Sequence, residues 1–294
     1  YDSYLEDVTI PEPDNLHDQP AEGFGSLASR GFGSGLAKGH ESWQLGRRLG
    51  VDQSLRDPQY TELVYQKYLR RYLRCVKGVD DNVGRLLAYL EESEQLDNTV
   101  IIYTADQGFM LGEHDYIDKR WMYEESLRMP FLIRYPDKLR AGEVCEDIIN
   151  NVDFAPTILD IAGVLADKRP AEVQGRSFLA NLQGNTPPDW PTATYYRYWM
   201  HMAHHDNPAH FGIRTQTHKL IFFYGRRLNP DWYWNPGRAQ PTEPHWELYD
   251  LVNDPHEMNN LYGRPQVAEL TEKLREQLFE QRKDIGDTDD QSTD

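Results

Sequence analysis

The 294-residue sequence is short of basic residues and of cysteine, and it has no long apolar run. It carries 31 lysines and arginines against 48 aspartates and glutamates, a formal net charge of −17. Such a balance argues against nucleic acid as a partner, because phosphate binding needs a basic face. The two cysteines, Cys75 and Cys145, stand far apart and outside any CxxC pair. That excludes a disulfide-dense scaffold and a structural zinc ribbon. The apolar runs, Val100 to Tyr103 among them, are strand-sized, far below the roughly 20 residues of a membrane span. Tyr1 and Asp2 open the chain with no initiator methionine, basic segment or apolar leader. The expectation is a removed leader or a start inside a longer protein. What is present, 39% hydrophobic and 12% aromatic residues, suffices for one large α/β domain or two smaller ones.

Along the chain, residues 1–58 are loop-rich, broken by Pro11, Pro13 and Pro20 and then by the glycine-rich stretch from Gly23 to Gly39. That stretch is no dinucleotide fingerprint, since no strand precedes it; it reads as a surface loop. From Tyr60 to Leu96, apolar residues at Val64, Tyr68, Tyr72, Cys75, Val79, Val83, Leu86 and Leu90 predict a long helix with one buried face. On that face Cys75 reads as a small core residue. Asp97-Asn98 stops the helix, and the run from Thr99 to Thr104 predicts a strand buried on both faces, as in a parallel sheet. Phe131 to Arg134 is a second such run, and Asp153 is expected to cap a helix that ends at Gly163.

After Pro191 the pattern predicts four antiparallel strands at 193–199, 211–215, 218–224 and 246–251. A closing helix follows through Val267, Leu270, Leu274 and Leu278. The expected fold is an α/β part over 1–188, an antiparallel subdomain with a helix over 189–285, and a frayed acidic tail over 286–294. Two buried strands are few for a large doubly wound sheet, so the α/β part reads as incomplete.

The sharpest chemical signal follows the first strand, at Thr104-Ala105-Asp106-Gln107-Gly108. Ligands in open α/β sheets bind beyond the carboxyl ends of strands. Asp106 and Gln107 offer hard oxygens there, suited to Ca²⁺ or Mg²⁺ and not to zinc. The plainer reading is an Asx-type turn ending a strand. Beyond it, Glu113, His114, Asp118, Lys119, Arg120, Glu124, Glu125 and Arg128 crowd the connection to the second strand. A connection so charged is either solvated or built around a site.

The segment TADQGFMLGEHDYIDKRWMYEESLRMPFLIRYP resembles the metal-and-sulfate segment of the type I sulfatases, a branch of the alkaline phosphatase superfamily. The likeness is to the bacterial, N-acetylglucosamine-6-sulfatase-like members, with Ala105 where serine is usual. VDFAPTILDIAGV, GIRTQTHKLI and HWELYDLVNDPHEMNNLY resemble further parts of the same family. The resemblance implies an alkaline-phosphatase-like α/β sandwich with a small C-terminal subdomain, and hydrolysis of a sulfate ester on a sugar or glycan. It implies Asp106 and Gln107 as ligands of Ca²⁺ (or Mg²⁺), and Lys119 beside the sulfate, assisting the departing oxygen.

His114 and Arg120 would support the site, and His205 and His210 would contact the substrate, although exposed loop histidines are the alternative for that pair. Lys119 is expected within a few ångströms of Asp106 or Gln107, and Arg120 is expected to turn to Glu124 or Glu125. Trp232-Tyr233-Trp234 would either stack on sugar rings or fill a core. The family's nucleophile is a CxPSR cysteine converted to formylglycine, and neither Cys75-Val-Lys-Gly nor Cys145-Glu-Asp-Ile fits it. The family's amino-terminal metal pair is absent too. The chain therefore resembles the last two-thirds of a sulfatase, and its partners would be a sulfated sugar and a missing N-terminal segment. Family habit implies a secreted, periplasmic or lysosomal setting. A phosphatase or phosphonate hydrolase of the same superfamily, or an inactive binding fragment, is the alternative function.

Overall fold

The computed structural model of the chain describes residues 1–17, 36, 45–202, 207–226 and 241–288. The expectations for the glycine-rich stretch (Leu36 apart), for His205, for Trp232-Tyr233-Trp234 and for the end of the tail lie outside these residues.

Helix α1, Gln59–Glu92, runs 34 residues without a break at Gly78 or Gly84. Its first half buries Val64, Tyr65 and Leu69 against Ile10, Leu16, Leu49 and Val51. The proline-broken opening of the chain has no ladder of its own, so helix side chains satisfy its backbone. The Tyr65 hydroxyl donates to the Pro11 carbonyl at 2.6 Å, and the Gln66 amide bonds both the N–H and the carbonyl of Ile10, at 2.9 and 2.7 Å. The second half of α1 departs from expectation. Cys75 is exposed, and Val79 and Leu86 are 50% and 57% accessible. Helical periodicity shows that a face is apolar; it does not show that anything within these residues covers it.

Strand β1, Ile101–Thr104, pairs with β4, Phe131–Arg134, in the register Ile101↔Arg134 to Thr104↔Phe131. The pair is antiparallel, which corrects the parallel, doubly buried reading. The connection between them holds only the short hairpin β2 (Met110–Leu111) and β3 (Ile117–Asp118) and the four-residue helix α2 (Glu124–Leu127). No crossover helix carries the chain back to start a parallel neighbour. Tyr103 and Leu132 remain exposed on this pair. Helix α3, Phe154–Ile161, ends at Gly163 (φ +73°) as expected. Asp153 does not cap it: its carboxylate accepts the backbone N–H groups of Asn150 and Arg176, at 2.8 and 2.9 Å, and so closes the preceding turn.

Strands β5 (Ala193–Tyr198), β6 (His210–Thr215), β7 (His218–Phe223) and β8 (His245–Asp250) form an antiparallel sheet in sequential order. Alternation along them separates two faces. Phe211, Ile213, Leu220, Phe222, Trp246 and Leu248 pack on helix α4, Ala268–Asp284, through Leu274 and Leu278. The opposite face carries Ile221, Phe223 and Tyr249 against Tyr116, Trp121, Met122 and Tyr123 of the charged connection. The start of the tail is anchored and not frayed, since Asp287 accepts from the Tyr195 hydroxyl and the buried Arg197 guanidinium.

Candidate active site

Thr104 hands the chain from β1 into a turn that folds back on α2. Its hydroxyl donates to the Pro130 carbonyl at 2.9 Å, and the Gly108 N–H donates to the Ser126 carbonyl at 3.0 Å. A Cβ at Gly108 would lie 2.2 Å from the Glu125 carbonyl oxygen, so only glycine allows this approach. Asp106 is thereby held exposed at the carboxyl end of β1, with Gln107 half-buried beside it. The Asn151 side-chain amide lies 3.4 Å from the Asp106 carbonyl. Two hard oxygen donors side by side fit Ca²⁺ or Mg²⁺ in kind. They are too few alone, since Ca²⁺ takes six to eight oxygens, and among the described residues no group of three or more histidines, cysteines or carboxylates could hold a metal.

Lys119 stands in the same loop. Its ammonium is 5.7 Å from the centre of the Phe109 ring, which itself stacks on Tyr72 of α1 at 5.6 Å. The direct approach to Asp106 or Gln107 is not seen; Lys119 pairs instead with Asp118 at 3.1 Å and stays about a third exposed. Arg120 also pairs with Asp118, and not with Glu124 or Glu125 as expected. The reason is that Glu124 is already engaged by Arg214, at 2.9 and 3.2 Å, and by Lys219 at 2.9 Å, while Glu125 faces His114 at 3.9 Å. His114, Asp115, Asp118 and Arg120 all have positive φ, at 56°, 58°, 74° and 91°. Left-handed non-glycine residues in such density are costly and collect where a loop is held for function.

The two described histidines expected at the site, His114 and His210, are both core residues. His114 is fully buried between Tyr116 and Tyr123, and burial lowers its pKa to about 3. His210 lies on the inner face of β6, enclosed by Phe223, Tyr196, Tyr198 and Trp121, and its Nδ1–H donates to the Pro208 carbonyl at 2.7 Å. Burial lowers its pKa to about 4. Neither ring presents a surface to a ligand. Strand alternation, applied to His210 from Phe211 and Ile213 outward, would have placed it inward.

Beneath the loop lies a buried ionic network whose members are scattered along the sequence. Lys219, wholly enclosed on β7, bridges Glu124 at 2.9 Å and Glu257 at 2.7 Å. Glu257 also accepts the Glu124 N–H at 2.7 Å, and Glu247 accepts the hydroxyls of Tyr123 and Tyr249 at 2.9 and 3.0 Å. Burial works to raise the Glu124 pKa, but Lys219 and Arg214 outweigh it and hold the carboxyl at about 2. For Glu125 burial prevails, reinforced by Glu257 and Glu113, and the pKa rises to about 7; burial likewise raises Glu257 to about 7.

These shifts give a testable pH balance. Glu125 rises from 4.5 to about 7, so between those values the folded state keeps a proton that the unfolded state has lost, and stability falls as pH rises. His114 falls from 6.5 to about 3, so over pH 4.5–6.5 the unfolded state holds the extra proton and stability rises with pH. The two slopes oppose, and Glu257 with His210 forms a second opposing couple. Glu125→Gln should therefore leave His114 uncompensated. Its unfolding free energy, measured by urea titration, should drop on acidification by up to about 1.4 kcal/mol per pH unit relative to the native chain. Parallel pH curves for the two proteins would contradict this account.

The arrangement is a loop carrying a carboxylate, an amide and a lysine, braced from below by an antiparallel sheet. The sulfatase family profile matches residues 13–164, and the profile for the N-sulphoglucosamine sulphohydrolase C-terminal region matches residues 112–284. The chain belongs to the sulfatase family of the alkaline phosphatase superfamily. It is 47% identical over 227 residues to an N-acetylglucosamine-6-O-sulfatase of Bacteroides thetaiotaomicron, covering 76% of this chain and 37% of that protein. A structure solved in complex with its substrate, D-glucosamine-2-N,6-O-disulfate, superposes with a TM-score of 0.81 at 36% identity, over 99% of this chain and 63% of the other. A phosphonate monoester hydrolase from Silicibacter pomeroyi aligns at 25% identity with a TM-score of 0.61, over 85% of this chain and 47% of the other. The chain thus spans little more than a third of the length of the curated relative it matches at 47% identity.

Proposed function

We propose that the protein to which this chain belongs hydrolyses a sulfate ester on a 6-sulfated glucosamine-type sugar. The observation that carries the reading is the placing of Lys119 in one braced loop with Asp106 and Gln107, in a chain 47% identical to an N-acetylglucosamine-6-O-sulfatase. Asp106 by its carboxylate and Gln107 by its carbonyl oxygen would hold Ca²⁺ (or Mg²⁺), a cation that neutralises sulfate oxygens when bound. Lys119 offers a point cation to the oxygen that leaves with the sugar. A net charge of −17 repels an anionic substrate, so these local positive centres must also draw it in.

The remaining metal ligands and the formylglycine nucleophile belong, on this reading, to a segment preceding Tyr1. The exposed apolar surface of α1 at Val79, Leu86 and Tyr89, with Tyr103 and Leu132 of the β1–β4 pair, is where that segment would seat. His205 remains a proposed sugar contact. The likeness to a phosphonate monoester hydrolase supplies the competing activity. An assay of the full-length protein on N-acetylglucosamine 6-sulfate and on a phenylphosphonate monoester decides between them. Preferred turnover of the sulfate ester is expected; turnover of the phosphonate alone would transfer the assignment.

A further inference from the structure

The face of the C-terminal sheet that looks toward the candidate site touches six consecutive residues of the loop. Asn207, buried at the entry to β6, brings its side-chain amide to 3.4 Å from the Lys119 carbonyl. The Tyr196 hydroxyl of β5 donates to the Arg120 carbonyl at 2.9 Å. Trp121 lies over His210 with ring centres 6.1 Å apart. Met122 abuts Gly212, where a Cβ would come 2.6 Å from the methionine sulfur. Tyr123 donates to Glu247 at 2.9 Å, and Glu124 is gripped by Arg214 and Lys219. Within this run Arg120 has φ +91°, a conformation an L residue does not hold unaided. The tyrosine bond falls on the carbonyl of that same residue, next in the chain to Lys119.

We infer that Tyr196 is a positioning residue for Lys119: its hydroxyl fixes the left-handed peptide at Arg120 and so sets where the lysine ammonium stands. Asn207 acts on the neighbouring carbonyl in the same sense. The direction of the bond matters. A phenol donates to a carbonyl that the loop itself leaves without a partner, whereas phenylalanine keeps the ring packing and leaves that carbonyl unbonded. The peptide can then relax toward negative φ and carry the Lys119 side chain with it. A displacement of about 1 Å at a charge-stabilising group costs up to about a hundredfold in rate. The inference rests on the proposed role of Lys119, and a double-mutant cycle separates the two claims.

The experiment uses the full-length enzyme with N-acetylglucosamine 6-sulfate as substrate and four proteins: native, Tyr196→Phe, Lys119→Ala and the double variant. Tyr196→Phe is expected to lower kcat by roughly tenfold or more, with KM changed by less and thermal midpoint near that of the native enzyme. In the Lys119→Ala background the same substitution should have no further effect on kcat, because the group it positions is gone. If the two losses multiply, or if Tyr196→Phe keeps full kcat, the positioning role is wrong. If Lys119→Ala itself turns over normally, the proposed function of Lys119 fails first, and the cycle shows which claim fell. A purely structural role for Tyr196 would lower the thermal midpoint and the active fraction equally in both backgrounds.

Discussion

Lys119→Ala in the full-length enzyme should cut turnover of the sugar sulfate by about a hundredfold or more, the scale of losing one preorganised charge donor. Stability should stay within roughly 0.5 kcal/mol of the native protein, as for surface positions in general. The asymmetry follows from the surroundings of the residue. Its side chain is 34% exposed and its ion pair is to Asp118, which keeps Arg120 when the lysine is gone. No buried charge is therefore stranded. Steady-state kinetics beside a thermal melt is the check; a variant of full activity, or one that has lost both activity and stability together, would contradict the role given to Lys119.

The second large effect is one of stability. Lys219→Met should destabilise the chain by about 3–5 kcal/mol at pH 8, the cost of removing one member of a buried ionic group. Lys219 is completely enclosed between Glu124 and Glu257. Glu124 would keep Arg214, but no other cation is paired with Glu257 among the described residues. Because burial already raises the Glu257 pKa to about 7, the stranded carboxyl can take up a proton in mild acid. The penalty should accordingly shrink at pH 5, and adding Glu257→Gln should recover part of it at pH 8. Urea unfolding of the three proteins at the two pH values tests this; an equal penalty at both would show that Glu257 is not the group left uncompensated.

Much of the architecture could be read from residue spacing. The four C-terminal strands and the closing helix follow from alternation and from Leu274 and Leu278 at helical spacing, because those elements find their partners inside the chain. The elements that were misread differ in this respect. The Val79–Leu86 stripe of α1 and the β1–β4 pair have apolar surface that nothing in the described residues covers, so their pattern pointed to burial that is not there. The candidate metal ligands and Lys119 could be proposed from the sequence because they sit in one short segment. The residues that hold that segment were not: Tyr196, Asn207, Lys219 and Glu257 come from four distant places and meet only in the folded sheet. A local signal did exist for one of them. In HKLIFF the alternation places Lys219 on the same side as Ile221 and Phe223, and a lysine on an apolar face implies a buried counter-charge.

The two-faced sheet also explains why its strands can pair in only one way. A slip of one residue in β7 would turn Leu220 toward Glu124 and Glu257 and would push Lys219 in among Phe211, Leu248 and Leu278. A one-residue slip carries every side chain of a strand to its other face. Here the misaligned hairpin would leave an ammonium in hydrocarbon and Glu257 with no paired cation among the described residues, so the charges disfavour the wrong register. The same buried ions that give the sheet its low tolerance for substitution thus also weigh against a misaligned pairing of its strands.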